Sequence, residues 1–205
     1  MTYSPQYTRA DVEILEQDWV FRGYFGVRQV ILRHRKFDGS WSEAITRELF
    51  ERGDAVAVLP YDVARDELIL IEQFRPGALR DGRSPWMLEL VAGVVEPDES
   101  DSEVAHREAL EEAGCTLDKI ELIASFYPSA GACTEQIRCF VGRVDSAPER
   151  GVFGLDEEHE DIKVHRVSCE QAFAMLRDNK VNNGHTLIAL QWLALNHQAL
   201  RKRWL

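Results

Sequence analysis

The stretch GVVEPDESDSEVAHREALEEAG, residues 93–114, carries the strongest signal in the chain. Acidic side chains fill it from Glu96 to Glu112, against one histidine and one arginine. Its second half, from about Glu103 to Ala113, reads as a helix, and Gly114 is placed to end it. At about 100° per residue, with Glu108 at 0°, Glu112 falls near 40° and Glu111 near 300°, so three carboxylates share one arc. Ala109, Ala113 and Leu110 fall between about 100° and 200°, a small-residue face suited to close packing on a sheet. Like charges one turn apart destabilise a helix by roughly 0.2–0.5 kcal/mol per pair. Glu108 and Glu112 therefore call for something positive between them.

Outward from this stretch, AVAVLPYD and DELILIEQF read as strands joined by a polar turn at Val63–Asp66, and MLELVAGVV leads into the acidic helix. IELIASFY, QIRCFVGRV and IKVHRV supply further strands. CEQAFAMLRDNK and an apolar stretch from Thr186 to about Arg201 read as closing helices. Strands on both sides of a central helix, with helices last, predict an α/β fold: a mixed sheet covered on both faces. The first 50 residues differ in texture. Aromatic and β-branched runs around Trp19–Phe21, Val27–Leu32 and Trp41–Leu49 read as strands, with an Asp-Gly turn in FDGS (37–40) between two of them. Three short strands make a poor core alone. The expected division is a small antiparallel sheet over 1–52 and a main domain over 53–205.

Composition narrows the function. The chain has 205 residues, with 35 acidic side chains against 24 Lys and Arg, a net charge of -11. That balance argues against a nucleic-acid backbone or an anionic membrane as partner. No apolar run approaches the length of a membrane span, and the polar start lacks the apolar core of a signal peptide. Cys115, Cys133, Cys139 and Cys169 form no CxxC pair and no zinc spacing, so reduced thiols and a cytoplasmic setting are expected.

The spacing decides the chemistry. Gly93, Glu99 six residues on, Arg107-Glu108, Glu111-Glu112 and Gly114 fix seven identities at set intervals. A solvated helix explains an isolated Glu pair but not this set. The pattern resembles the Nudix box, complete at its charged and glycine positions. The resemblance implies a Nudix-type α/β/α sandwich that hydrolyses a nucleoside diphosphate linked to another moiety, using magnesium, or manganese in its place. Several carboxylates on one face suit such a hard cation. Through ILIEQFRPGA, PWMLELVAG, LDEEHEDIKVHRVS and LIALQWLALNHQALRKRWL the chain is similar to the bacterial ADP-ribose pyrophosphatases of that family. In that group the N-terminal strands are exchanged across a homodimer. One departure bears on the substrate: Ala130 stands where that group typically carries a proline, and Pro128 lies two residues earlier.

The resemblance assigns roles residue by residue. Glu108, Glu111 and Glu112 become metal ligands, joined by the Ala92 carbonyl and by Glu160. Glu99 and Arg107 pair to fix the loop to the helix. Glu158, in the acidic loop Glu157–Glu160, becomes the base for the attacking water. Arg75 in QFRPG is suited to phosphate or ribose because arginine forks to phosphate oxygens. Val94 lines the substrate, Glu135 accepts from the terminal ribose, and Tyr24 and Arg47 reach the adenine side from a partner subunit. His34, His106, His165, His185 and His197 show no metal spacing. A hydrolase of another nucleoside diphosphate sugar, such as GDP-mannose, and a non-catalytic nucleotide sensor are the alternatives. The intact acidic set speaks against the sensor.

Overall fold

The structure, a computed structural model, describes residues 3–148 and 150–205. The chain divides into two compact units, one taking in the residues up to Gly53 together with Tyr127–Glu135, the other Asp54–Phe126 with Gln136–Leu205.

In the first unit β1 (Val12–Arg22), β2 (Gly26–His34) and β3 (Ile45–Glu51) form an antiparallel sheet in that order. The Asp-Gly turn forms: Asp38 accepts from the Ser40 N–H at 2.8 Å, and Gly39 takes φ +85°. Strand β3 starts at Ile45 and not at Trp41. Trp41 makes only an isolated antiparallel bridge to Arg35, its ring lies under the Arg33 and Arg35 guanidinium groups, and Ser42 Oγ accepts the His34 N–H. Of the three strands only Gly26 and Val30 are buried among the described residues. The segment Tyr127–Glu135 joins this unit through Phe50, whose N–H donates to the Ala132 carbonyl at 2.7 Å.

The second unit holds an eight-stranded mixed sheet. Strands β4 (Ala55–Asp62) and β5 (Glu67–Phe74) pair only next to their turn, at Tyr61–Leu68 and Asp62–Glu67, and then diverge. The run MLELVAGVV fills the opening as two strands, not one. β6 (Trp86–Glu89) pairs with β5, and β7 (Val91–Val94) pairs with β4. Between them Leu90 is fully buried and gives its N–H to Thr186 Oγ1 at 3.1 Å. β4 pairs in parallel with β9 (Ile137–Ser146), which pairs with β8 (Thr116–Phe126), while β5 pairs with β11 (Ile162–Ser168) and β11 with the short β10 (Val152–Phe153).

Alternation along β4 and β5 builds both cores. Ala57, Leu59, Tyr61, Leu68 and Leu70 face α2 (Cys169–Arg177) and α3 (Gly184–Trp204). Val56, Val58, Ile69 and Ile71 face α1 (Asp101–Ala113). The result is the α/β/α sandwich expected. Helix α3 begins at Gly184 under an Asn183 cap and runs to Trp204, longer at both ends than its sequence pattern. No helix among the described residues is long and apolar enough to cross a membrane.

The β4–β5 turn is clamped to α3. Asp66, in a left-handed conformation at φ +58°, accepts from Tyr61 at 2.7 Å and from His197 at 2.6 Å, with Arg201 at 3.4 Å. Cys169 lies in the same cluster. Arg201 supplies a positive charge opposite Asp66, so the group reads as a polar clamp and not as a metal site.

Candidate active site

Helix α1 starts two residues before its expected position, at a capping box in which Ser100 accepts the Glu103 N–H and Glu103 accepts the Ser100 N–H. It ends at Gly114 in the left-handed region, φ +60°, with the Cys115 N–H on the Ala109 carbonyl. A Cβ on Gly114 would also strike the Phe153 ring at 2.6 Å.

The side of the helix that faces the sheet is not the one expected. Val104, Ala105, Ala109, Glu112 and Ala113 are buried, whereas Leu110 is 57% exposed. The buried stripe is centred near 50° on the helical wheel, so Glu112 sits in its middle and the partly buried Glu108 falls within its span. Apolar counting alone puts the sheet-facing side too far round, because it takes for granted that carboxylates face water. Glu112 is 2% exposed and accepts the Ala92 N–H at 2.9 Å. Beside Ala92, the bare Cα of Gly93 is what lets Glu108 fold down: a Cβ there would lie 1.7 Å from Glu108 Oε1. Strand β7 is thus shaped to receive the two carboxylates.

Burial pushes the Glu112 carboxyl up to about 8, opposed by the Ala92 N–H and reinforced by the charges of Glu108 and Glu160. Glu108 is raised by burial too, with Arg107 opposing and Glu111 and Glu160 adding to the rise. Arg107 forks onto Glu99, with Nε–Oε1 2.7 Å and Nη2–Oε2 2.9 Å. Its Nη1 reaches Glu108 Oε1 at 2.7 Å and Glu111 Oε2 at 3.0 Å. One guanidinium is thus shared by three carboxylates, and none of its hydrogen bonds goes to Glu112.

The loop before β11 folds onto this helix. Gly154 gives its N–H to the Glu111 carbonyl at 3.2 Å, and Glu160 Oε2 accepts the Leu155 N–H at 3.2 Å. Glu158 stands exposed at the end of a short 3-10 turn, Asp156–Glu158, closed by His159 at φ +56°. A cleft of about 480 Å³ has Glu158 and Leu155 on one wall and Glu111, Arg107 and Glu99 on another. Glu108 and Glu112 are not among its walls.

Arg75 directly follows β5 and is held by Glu89 of β6, with Nε and Nη2 at 3.0 and 2.9 Å from Glu89 Oε2. Its positive charge favours the ionised form of Glu112. Glu89 is a residue that sequence reasoning missed. The available signal was a lone carboxylate inside the apolar run MLELVAGVV. Val94, at the end of β7, is exposed. Tyr24, Arg47 and Glu135 belong to the other unit. There Tyr24 is 93% exposed on the β1–β2 turn, Arg47 is exposed on β3, and the Glu135 carboxylate is buried 3.4 Å from Arg52.

This donor set is chemically coherent. A buried and a partly buried carboxylate, pushed toward protonation first by burial and then by neighbouring carboxylates, and set against a glycine and a backbone amide, fit a hard divalent cation with oxygen ligands. A family model described as the NUDIX domain matches residues 51–190. The chain belongs to the Nudix family. An ADP-ribose pyrophosphatase of Escherichia coli (strain K12) is 45% identical over 194 residues, covering 95% of this chain and 93% of that protein. A GDP-mannose pyrophosphatase of Pectobacterium atrosepticum is 30% identical over 181 residues, covering 88% and 92%. A solved structure, described as an ADP compounds hydrolase, aligns over 99% of both chains with a TM-score of 0.70 at 22% identity, which supports the fold. The Nudix box accounts for the geometry above: its first glycine admits Glu108, its last ends α1, and its arginine joins loop to helix.

Proposed function

We propose that the chain hydrolyses the pyrophosphate bond of ADP-ribose to AMP and ribose 5-phosphate, with magnesium or manganese bound by Glu108, Glu111, Glu112, Glu160 and the Ala92 carbonyl. The observation that carries the reading is Glu112: a buried carboxylate pressed against the β7 backbone beside a second one at Glu108. Buried charges of one sign are stable only when something opposite compensates them. The greater identity to the ADP-ribose enzyme than to the GDP-mannose enzyme, 45% against 30%, favours ADP-ribose.

A divalent cation, when bound, neutralises phosphate oxygens and makes a water a better nucleophile near neutral pH. The remaining work falls to side chains. Glu158 takes the proton of the attacking water as its oxygen bonds to phosphorus, and the bridging P–O bond breaks. Arg75 donates to phosphate oxygens from the end of β5. Val94 borders the substrate beside the box. Hydrolysis is followed on ADP-ribose, GDP-mannose, UDP-glucose and NADH, each with and without Mg²⁺. Preference for ADP-ribose, with AMP as product, supports the reading, and preference for GDP-mannose replaces it with the rival hydrolase.

We further propose a homodimer in which the N-terminal sheet over 1–52 is exchanged, bringing Tyr24 and Arg47 of one subunit to the adenine side of the other's site, with Glu135 at the terminal ribose. Ile14, Leu15, Trp19, Val20 and Phe21 are all exposed along β1, an apolar run that a monomer would leave in water. Light scattering at micromolar concentration is expected to give about twice the 23.5 kDa chain mass. A monomer removes Tyr24 and Arg47 from the site. Four free thiols, three of them buried, suit a reducing cytoplasmic setting.

A further inference from the structure

We propose that Glu89 is a positioning residue, holding the Arg75 guanidinium in one orientation toward the diphosphate of the substrate. The inference rests on the functional reading above and adds a residue outside the Nudix box to it.

Arginine carries many rotamers, and one at a strand end does not define a binding site unless something fixes it. Here two contacts do. The Arg75 N–H donates to the Pro85 carbonyl at 2.8 Å, closing the end of the β5–β6 hairpin. The side chain then turns back along the hairpin to Glu89, which lies opposite Ile71. Both Nε and Nη2 converge on Glu89 Oε2, while Nη1 has no protein partner among the described residues. Burial is divided unevenly: Glu89 is 2% exposed, whereas the Arg75 side chain is 41% exposed. The fork is thus anchored on a carboxylate inside the fold while the arginine side chain stays partly open to solvent.

The position of Glu89 in the chain gives the contact its consequence. Leu90 follows it, buried and hydrogen-bonded to Thr186, and Ala92 lies two residues further, hydrogen-bonded to Glu112. One short segment therefore fixes both the cationic arm and the strand against which the box carboxylates lie. A simple buried ion pair would need only a positive charge opposite Glu89. Orientation of a planar fork needs both the carboxylate and the guanidinium.

That difference sets the experiment. ADP binding is measured by calorimetry, and KM and kcat for ADP-ribose by product formation, on wild type, Glu89→Gln, Arg75→Lys and the double variant. Each single change is expected to raise the Kd of ADP and the KM of ADP-ribose about tenfold, with kcat altered less than about threefold, as loss of uniform binding requires. The double variant is expected to be no weaker than the weaker single one, because both changes remove the same contact. Wild-type Kd and KM in Glu89→Gln, or multiplicative effects in the double variant, would overturn the proposal. Should Glu89→Gln fail to fold, Glu89→Asp keeps the charge but withdraws the carboxylate, and wild-type affinity in that variant overturns the proposal equally. ADP binding needs no turnover, so a wild type inactive on ADP-ribose fails the functional reading while calorimetry still decides this one. A wild type that does not bind ADP overturns both.

Discussion

Glu112→Gln is expected to lower ADP-ribose hydrolysis by about 10³-fold, the scale of losing several kcal/mol of transition-state charge stabilisation. The fold should survive. Glutamine keeps the volume and an acceptor for the Ala92 N–H, and α1 keeps its capping box and its Gly114 terminus. Stability separates this account from a purely structural one. The Glu112 carboxyl has its native pKa raised to about 8, above its ordinary value of 4.5. A carboxyl raised on folding leaves the native state binding more protons than the unfolded chain, so metal-free protein loses stability as pH climbs from about 4.5 through about 8. The glutamine variant lacks that loss and should melt no lower than wild type in EDTA at pH 8. Added Mg²⁺ should raise the wild-type melting temperature far more than that of the variant. A variant that melts lower in EDTA and still gains from Mg²⁺ would remove Glu112 from the metal site.

Glu158→Gln is expected to act on chemistry alone. Its carboxylate stands exposed on the loop wall of the cleft, away from the walls formed by α1. Loss of a general base lowers kcat by about 10²–10⁴-fold. Mg²⁺ affinity and KM should change little, because the box carboxylates are untouched. Glu108→Gln should behave differently, weakening metal binding so that added Mg²⁺ recovers part of the rate. Rescue of Glu158→Gln by Mg²⁺ would make that loop a metal arm. Small and equal effects at Glu157, Glu158 and Glu160 would show that no single loop carboxylate is the base.

The box was legible because its spacing is set by contacts that only certain residues make. Gly93 and Gly114 are sites where a Cβ collides with Glu108 or Phe153, and glycine spacing survives in the sequence as a pattern. The strands β4, β5, β9 and β11 were legible as apolar runs bounded by polar turns. The burial of Glu112, and the partial burial of Glu108 beside it, was not, because periodicity assigns carboxylates to water and only the partner strand reveals otherwise. The break at Leu90 was hidden for a related reason: one apolar run serves two diverging strands, and the divergence is a property of β4 and β5. Glu89 was missed since its partner, Arg75, lies 14 residues earlier, across the hairpin, with no fixed period to announce it. Trp41 read as the start of a strand because aromatic residues favour strands, and it does bridge to Arg35, but the bridge stays isolated and the continuous strand begins only at Ile45.

The central claim is a metal-dependent cleavage of a pyrophosphate bond by the α1 carboxylates. Its most direct test is to follow ADP-ribose and its products by phosphorus NMR, first with Mg²⁺, then with EDTA in excess, then with Mg²⁺ restored. The expected result is AMP and ribose 5-phosphate in equal amounts, no turnover under EDTA, and full recovery on adding the cation back. Undiminished turnover in excess EDTA, or ADP as the nucleotide product, would contradict it.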